Sequence, residues 1–146
     1  MTDVETMLSQ QEGTGPIKNG RFFPYTDSRG FLSIGNGRCL DRKGLSTDEA
    51  RMLFHSDIAD AIEDAHHVCS IYDQLSRPRQ LVLISMAYNL GREGLEHWPR
   101  FLGAIHREDW EDAADELLES KAAREQAPVR YKQLAKMMRE NVSEWI

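Results

Sequence analysis

Two carboxylates and a hydroxyl stand out in the stretch Glu12–Gly37, EGTGPIKNGRFFPYTDSRGFLSIGNG. Glu12 falls at the end of a short helical pattern, just before a Gly-rich loop that carries Lys and Arg. Asp27 sits in the turn of a β-hairpin pattern, and Ser33 follows on its return strand. A carboxyl at a helix C-terminus faces the negative end of the helix dipole, which disfavours its ionised form. A general acid must hold its proton near neutral pH, above the value of about 4.3 for a free Glu, so the placement suits that task. An Asp on an exposed turn stays ionised and can act as a base. Together they predict acid/base hydrolysis in a cleft, with the remainder of the chain as its second wall. By residue type alone the pair is a modest signal, because the chain has 24 acidic residues and both positions are common surface sites for acids.

The elements that must position these groups can be read in order. Thr2-Asp3-Val4-Glu5 is a capping box, Val4, Met7 and Leu8 share a helical stripe, and Gly13 ends the first helix. Residues 13–20 read as loop, Arg21–Tyr25 as a strand, Thr26–Gly30 as a turn and Phe31–Ile34 as the return strand. A third short strand is expected near Cys39–Leu40.

From Ser46 the pattern is helical to the end. Ser46 or Thr47 caps a long helix whose apolar stripe is Ala50, Leu53, Phe54, Ala61, Ile62, Ala65 and Val68. Ser76-Arg77-Pro78 opens the next helix, and Gln80–Leu90 is apolar nearly all round, as a buried central helix would be. Gly91 and Gly94 are expected to break it. Helices follow over Arg100–His106 and Glu108–Ser120, and Ala127-Pro128 opens the last one, with Val129, Leu134, Met137 and Met138 inward. Trp145 is expected to pack the C-terminus back onto the body.

The chain of 146 residues, 40% hydrophobic and 29% charged, suits a single domain 1–146 of two lobes, with the lobe boundary near 46–68. A net charge of −6 argues against non-specific nucleic-acid binding, and it gives no long-range pull towards an anionic envelope. Cys39 and Cys69 lack metal-type spacing and read as reduced thiols. His55, His66, His67, His97 and His106 form no metal-binding pair, so neither metal nor cofactor is expected. The N-terminus lacks the features of a signal peptide, and the longest apolar stretch is too short to span a bilayer. The protein is expected to be a monomer without stable membrane insertion, made in a cytosol unless another machine exports it.

The segments EG and YTDSRGFLSIGNG resemble the phage-type lysozymes, the muramidases of T-even phages and their relatives. The similarity continues through LSTDEARMLFHSDIADAI, MAYNLGREGL, FLGAIHREDWEDAADEL and Gln126–Pro128, in the order of that family. The resemblance implies an α+β, mostly helical, lysozyme-like fold: a small N-terminal β lobe joined by a long helix to a helical C-terminal lobe. It implies a glycoside hydrolase that cuts the β-1,4 bond between N-acetylmuramic acid and N-acetylglucosamine in peptidoglycan. Glu12 matches the general acid of the family, Asp27 the carboxylate that activates or orients water, and Ser33 the hydroxyl, usually Thr, that helps hold that water. Inversion would then require carboxyl groups about 6.5–9.5 Å apart. Tyr88 and Asn89 match positions on the cleft wall, and Arg130 a position whose Arg pairs with the catalytic Glu. Cys39 and Phe101 align with further substrate-binding positions.

The chain departs from the family in three places. The Glu12–Asp27 spacing is longer than usual, so the loop containing Pro16–Gly20 holds an insertion, and the segment between Gly37 and Ser46 is short. Arg38 replaces a frequent His, with Asp57 on the long helix as its expected partner. The resemblance also implies action on the cell wall after release or export from a host cytoplasm. Two rival readings are a non-catalytic peptidoglycan-binding or virion structural protein of the same fold, and a hydrolase of chitin-type glycans.

Overall fold

The computed structural model describes residues 1–143, so the expectation for Trp145 lies outside the described residues. The fold is α+β and mostly helical, with two small antiparallel sheets. Its contacts group into two compact units, Met1–Met52 and the residues from Leu53 onward.

In the first unit, α1 (Asp3–Glu12) begins with the expected capping box: Thr2 Oγ1 accepts from the Glu5 N–H at 3.1 Å, and the Glu5 carboxylate accepts from the Thr2 N–H. Gly13 ends the helix at φ 71°, and its N–H donates to the Ser9 carbonyl. The stripe of Val4, Met7 and Leu8 is exposed, so α1 buries no side chain.

The segment read as loop contains an additional hairpin. Strands β1 (Ile17–Lys18) and β2 (Arg21–Phe22) pair antiparallel, with Ile17 opposite Phe22 and Lys18 opposite Arg21. Asn19 and Gly20 both take positive φ, 52° and 73°, as a two-residue hairpin turn of the primed type requires. The single strand expected over Arg21–Tyr25 is therefore divided. Pro24 has no N–H to offer a ladder, and after it the chain enters a second sheet. That sheet has the order β3-β4-β5: β3 (Tyr25–Thr26), β4 (Leu32–Ile34) and β5 (Arg38–Cys39). Tyr25 and Cys39 flank Ser33 across the sheet. A short helix, α2 (Leu40–Lys43), follows where no element was expected. Its Asp41 carboxylate accepts from the Leu32 N–H at 2.6 Å.

Ser46 caps α3 (Thr47–Val68) in a second capping box: its hydroxyl accepts from the Glu49 N–H at 3.2 Å, and its own N–H donates to Glu49 Oε2 at 2.8 Å. Of the stripe expected on α3, only Ala61 and Ala65 are buried; Leu53 and Phe54 are each 51% exposed.

The second unit holds the hydrophobic core. Helix α4 (Arg77–Glu96) carries Pro78 in its first turn and is interrupted at Gly91 (φ 72°, ψ 172°). Gly94, expected as a second break, is helical. Val82, Leu83, Met86 and Ala87 are buried, while Tyr88 and Leu90 are exposed, so α4 is one-sided rather than buried all round. Helices α5 (Pro99–His106), α6 (Trp110–Glu119), α7 (Lys121–Glu125) and α8 (Pro128–Glu140) complete the unit. Helix α7 was not expected; the Ser120 hydroxyl caps it by accepting from the Ala123 N–H at 3.1 Å. On α8, Tyr131, Leu134, Ala135, Met137 and Met138 face inward, but Val129 is 70% exposed. Polar ties reinforce this packing. Arg139 pairs with Glu111 and Asp115 of α6, and Arg79 lies 3.9 Å from the Trp110 ring while its Nε donates to the Met138 carbonyl.

Candidate active site

The C-terminal end of α1 is seated on the turn between β4 and β5. Asn36 Nδ2 donates to the Gly13 carbonyl, which no residue of α1 uses. Gly37 lies against the Glu12 side chain: a Cβ added there would stand 3.4 Å from Glu12 Oε2. Gly15 passes beneath the Tyr25 ring, where an added Cβ would come within 2.6 Å of the ring edge. Its φ of 63° is a further reason for glycine there. Glu12 is thus held at the edge of the sheet that carries Ser33, within the same unit as Asp27.

Asp27 is built into its turn. Its Oδ1 accepts from the N–H groups of Arg29 (2.8 Å) and Phe31 (2.9 Å), and its own N–H donates to the Phe31 carbonyl. The Phe31 N–H is the main reason its carboxyl lies below the usual Asp range; burial opposes it, and the Arg29 N–H and guanidinium add to the lowering. The group is therefore a fixed, ionised carboxylate, suited to orienting water. Ser33 is buried at 2% exposure, and Cys39 beside it is a half-buried free thiol.

Arg38 takes a different partner from the one expected. Its guanidinium grips both Glu49 oxygens, one at 2.8 Å, and donates to the Gly44 carbonyl at 3.1 Å. Asp57 was the partner expected where Arg38 replaces the frequent His; Glu49 takes that place, its carboxylate turned back at the start of α3 by the Ser46 N–H. Chiefly through the Arg38 hydrogen bonds, and next through the Ser46 N–H, the Glu49 carboxyl is lowered from 4.5 to about 2. A depressed folded-state pKa adds stability above the unfolded value that is lost as pH falls through the folded one. Glu49→Gln is accordingly expected to melt below wild type at neutral pH. The gap should narrow between pH 4.5 and about 2, as thermal melts across that window would show. A constant gap down to pH 2 would assign the loss to something other than this ion pair.

In the second unit, three of the expected wall residues are found close together. Arg130 Nη1 donates to Asn89 Oδ1 at 2.8 Å, and Asn89 Nδ2 donates back to the Ser85 carbonyl at 2.7 Å. Tyr88, 46% exposed, meets the Phe54 ring edge-on at a centroid distance of 6.2 Å. Beside it lies an open depression of about 280 Å³ whose lining includes Asp57, Asp60, Asp64 and Tyr88. Arg92 pairs with Asp64 there at 2.8 Å. Phe101 is the exception. At 0% exposure, with its ring 4.6 Å from that of Trp98, it belongs to the core and offers no surface to a ligand, so its substrate-binding assignment is corrected. Periodicity alone could have shown this, since Phe101, Ala104 and Ile105 share one helical face and are all buried. The sequence reading also missed Asn36, whose amide ties α1 to the sheet; the signal was its place between the two turn glycines.

The mostly helical α+β architecture, with two short antiparallel sheets preceding the long helices in the chain, is that of the lysozyme-like class. Residues 18–139 match the family described as Phage lysozyme, and the chain belongs to that family. It is therefore a lysozyme-type glycan hydrolase, with peptidoglycan as its substrate class. Glu12 lies just ahead of the matched span, whereas Asp27, Ser33, Asn89 and Arg130 lie inside it. No curated protein matches the chain. Among the described residues, no helix is long and apolar enough to cross a membrane.

Proposed function

We propose that the protein is a muramidase that cleaves the β-1,4 bond between N-acetylmuramic acid and N-acetylglucosamine, and so lyses bacterial walls. Glu12 donates a proton to the glycosidic oxygen, Asp27 orients and activates the attacking water, and Ser33 helps to hold that water. Attack opposite the leaving group inverts the anomeric centre. Tyr88, Asn89 and Arg130 contact the glycan strand, with Cys39 at its margin. The chain is made in a host cytoplasm and reaches the wall by release or export. The observation that carries this reading is the seating of Glu12. The Asn36–Gly13 bond and the Gly37 contact hold the acid on the sheet bearing Ser33, while two backbone N–H groups keep Asp27 charged. An acid held in place and a carboxylate kept ionised are the two parts that acid/base hydrolysis of an acetal needs.

The products test it. Purified sacculi digested to completion and reduced with borohydride should carry reduced muramic acid at their new ends, and NMR of the first products should show the α anomer. Reduced glucosamine ends would overturn the bond assignment, and an initial β anomer would overturn inversion. Digestion of chitin in preference to sacculi would favour the alternative glycan. A protein that binds sacculi without cutting them would be the non-catalytic relative.

A further inference from the structure

The β1–β2 hairpin is built in a way that its own fold does not explain. Two strands of two residues each do not stabilise themselves in water, yet Ile17, Phe22 and Phe23 are 52%, 48% and 44% exposed. Lys18 and Arg21 stand directly opposite each other beside the Asn19-Gly20 turn, and neither forms an ion pair among the described residues. Like charges paired across strands are destabilising unless an anion lies between or over them. The Phe23 N–H continues the ladder to the Pro16 carbonyl at 3.0 Å, so by strand alternation Phe23 shares a face with Lys18 and Arg21. One face of the hairpin therefore offers two uncompensated cations beside an aromatic ring.

The surroundings give this face a partner of definite chemistry. Between Gly13 and Gly44 the chain has six Lys and Arg against two Asp, although the whole protein has a net charge of −6. Arg38 is taken by Glu49, and Arg29 and Arg42 lie over the Phe31 ring at 5.5 and 5.3 Å. The hairpin pair, with Lys43 of α2, is left to meet an external anion. Its root is fixed by Gly15 beneath Tyr25, and in the chain it lies between Glu12 and Asp27. A glycan strand bearing peptide stems carries an apolar sugar face next to carboxylates, which is the complement of Phe23 next to Lys18 and Arg21.

We infer that the β1–β2 hairpin is a second substrate-binding element, in which Lys18 and Arg21 hold stem-peptide carboxylates while Phe23 stacks on an adjoining sugar. This rests on peptidoglycan being the substrate. It also accounts for an acidic protein engaging an anionic polymer, because the attraction is local and acts at short range.

The test compares wild type with K18Q/R21Q by clearing kinetics and by co-sedimentation with sacculi, with chitin and with phosphatidylglycerol vesicles. The double variant should raise KM on sacculi about tenfold, as expected for two screened charge contacts, with kcat nearly unchanged. Its deficit should vanish at high salt and be absent in co-sedimentation with chitin, and K18R/R21K should restore KM. Both variants should melt with wild type, since the positions are exposed. A wild-type KM in K18Q/R21Q, beside a wild type that clears sacculi, would overturn the inference and leave the proposed function standing. A wild type that neither clears nor binds sacculi would remove the proposed function, and the inference with it. Loss of binding to phosphatidylglycerol vesicles with undiminished binding to sacculi would make the hairpin a lipid-contacting element and overturn the inference.

Discussion

Glu12→Gln is expected to lower kcat on purified sacculi by about 10³-fold, the scale of a lost general acid, while KM and the melting temperature stay close to wild type. The amide keeps the shape of the carboxyl, so the packing against Gly37 and the Asn36–Gly13 bond should survive. It has no acidic proton to give to the glycosidic oxygen. Asp27→Asn separates the second role. Its side-chain oxygen can still accept from the Arg29 and Phe31 N–H groups, so the turn should hold, but the charge that polarises water is gone. Because those donors hold the Asp27 carboxyl below its ordinary range, wild-type activity should persist in acid until that lowered pKa is reached. A Glu12→Gln protein that clears sacculi at the wild-type rate would place the acid elsewhere in the chain. A loss of activity accompanied by a collapse of the melting transition would reduce Glu12 to a structural residue.

What could be read from sequence divides along physical lines. The capping box at Thr2, the helix stop at Gly13 and the break at Gly91 were legible because each depends on a few neighbouring residues with strong backbone preferences. The β1–β2 hairpin was equally local and was passed over: Asn19-Gly20 is a strong hairpin signal, but the flanking strands are too short to show alternation. The partner of Arg38 was not legible by register alone. Glu49 and Asp57 are both on α3, and the choice between them depends on how the Ser46 capping box directs the Glu49 side chain. The stripe on α3 misled for a related reason. Helical spacing shows which residues share a face and does not show whether that face is covered, so Leu53 and Phe54 fit the pattern and are half exposed. At the candidate site, the turn around Asp27 was readable because Asp, Arg29 and Gly30 define it, whereas the link between α1 and Asn36 spans 23 residues and required the fold.

Phe101→Ala provides the other large effect, and it separates a core residue from a cleft residue. The ring is wholly buried and packed at 4.6 Å against Trp98, on the helix face that also buries Ala104 and Ile105. Truncating such a ring removes its transfer free energy and leaves a cavity, at a cost of about 3–5 kcal/mol. For a chain of this size that is a fall in melting temperature on the order of 10 °C. Trp98 offers one compensation, since it is only partly buried and can lean into the space; a loss near the lower end of the range would follow if it does. The protein that remains folded at low temperature should bind sacculi with a KM close to wild type, because no atom of Phe101 reaches the surface. The opposite pattern, an unchanged melt with a raised KM, would return Phe101 to the cleft wall and require α5 to open when glycan binds.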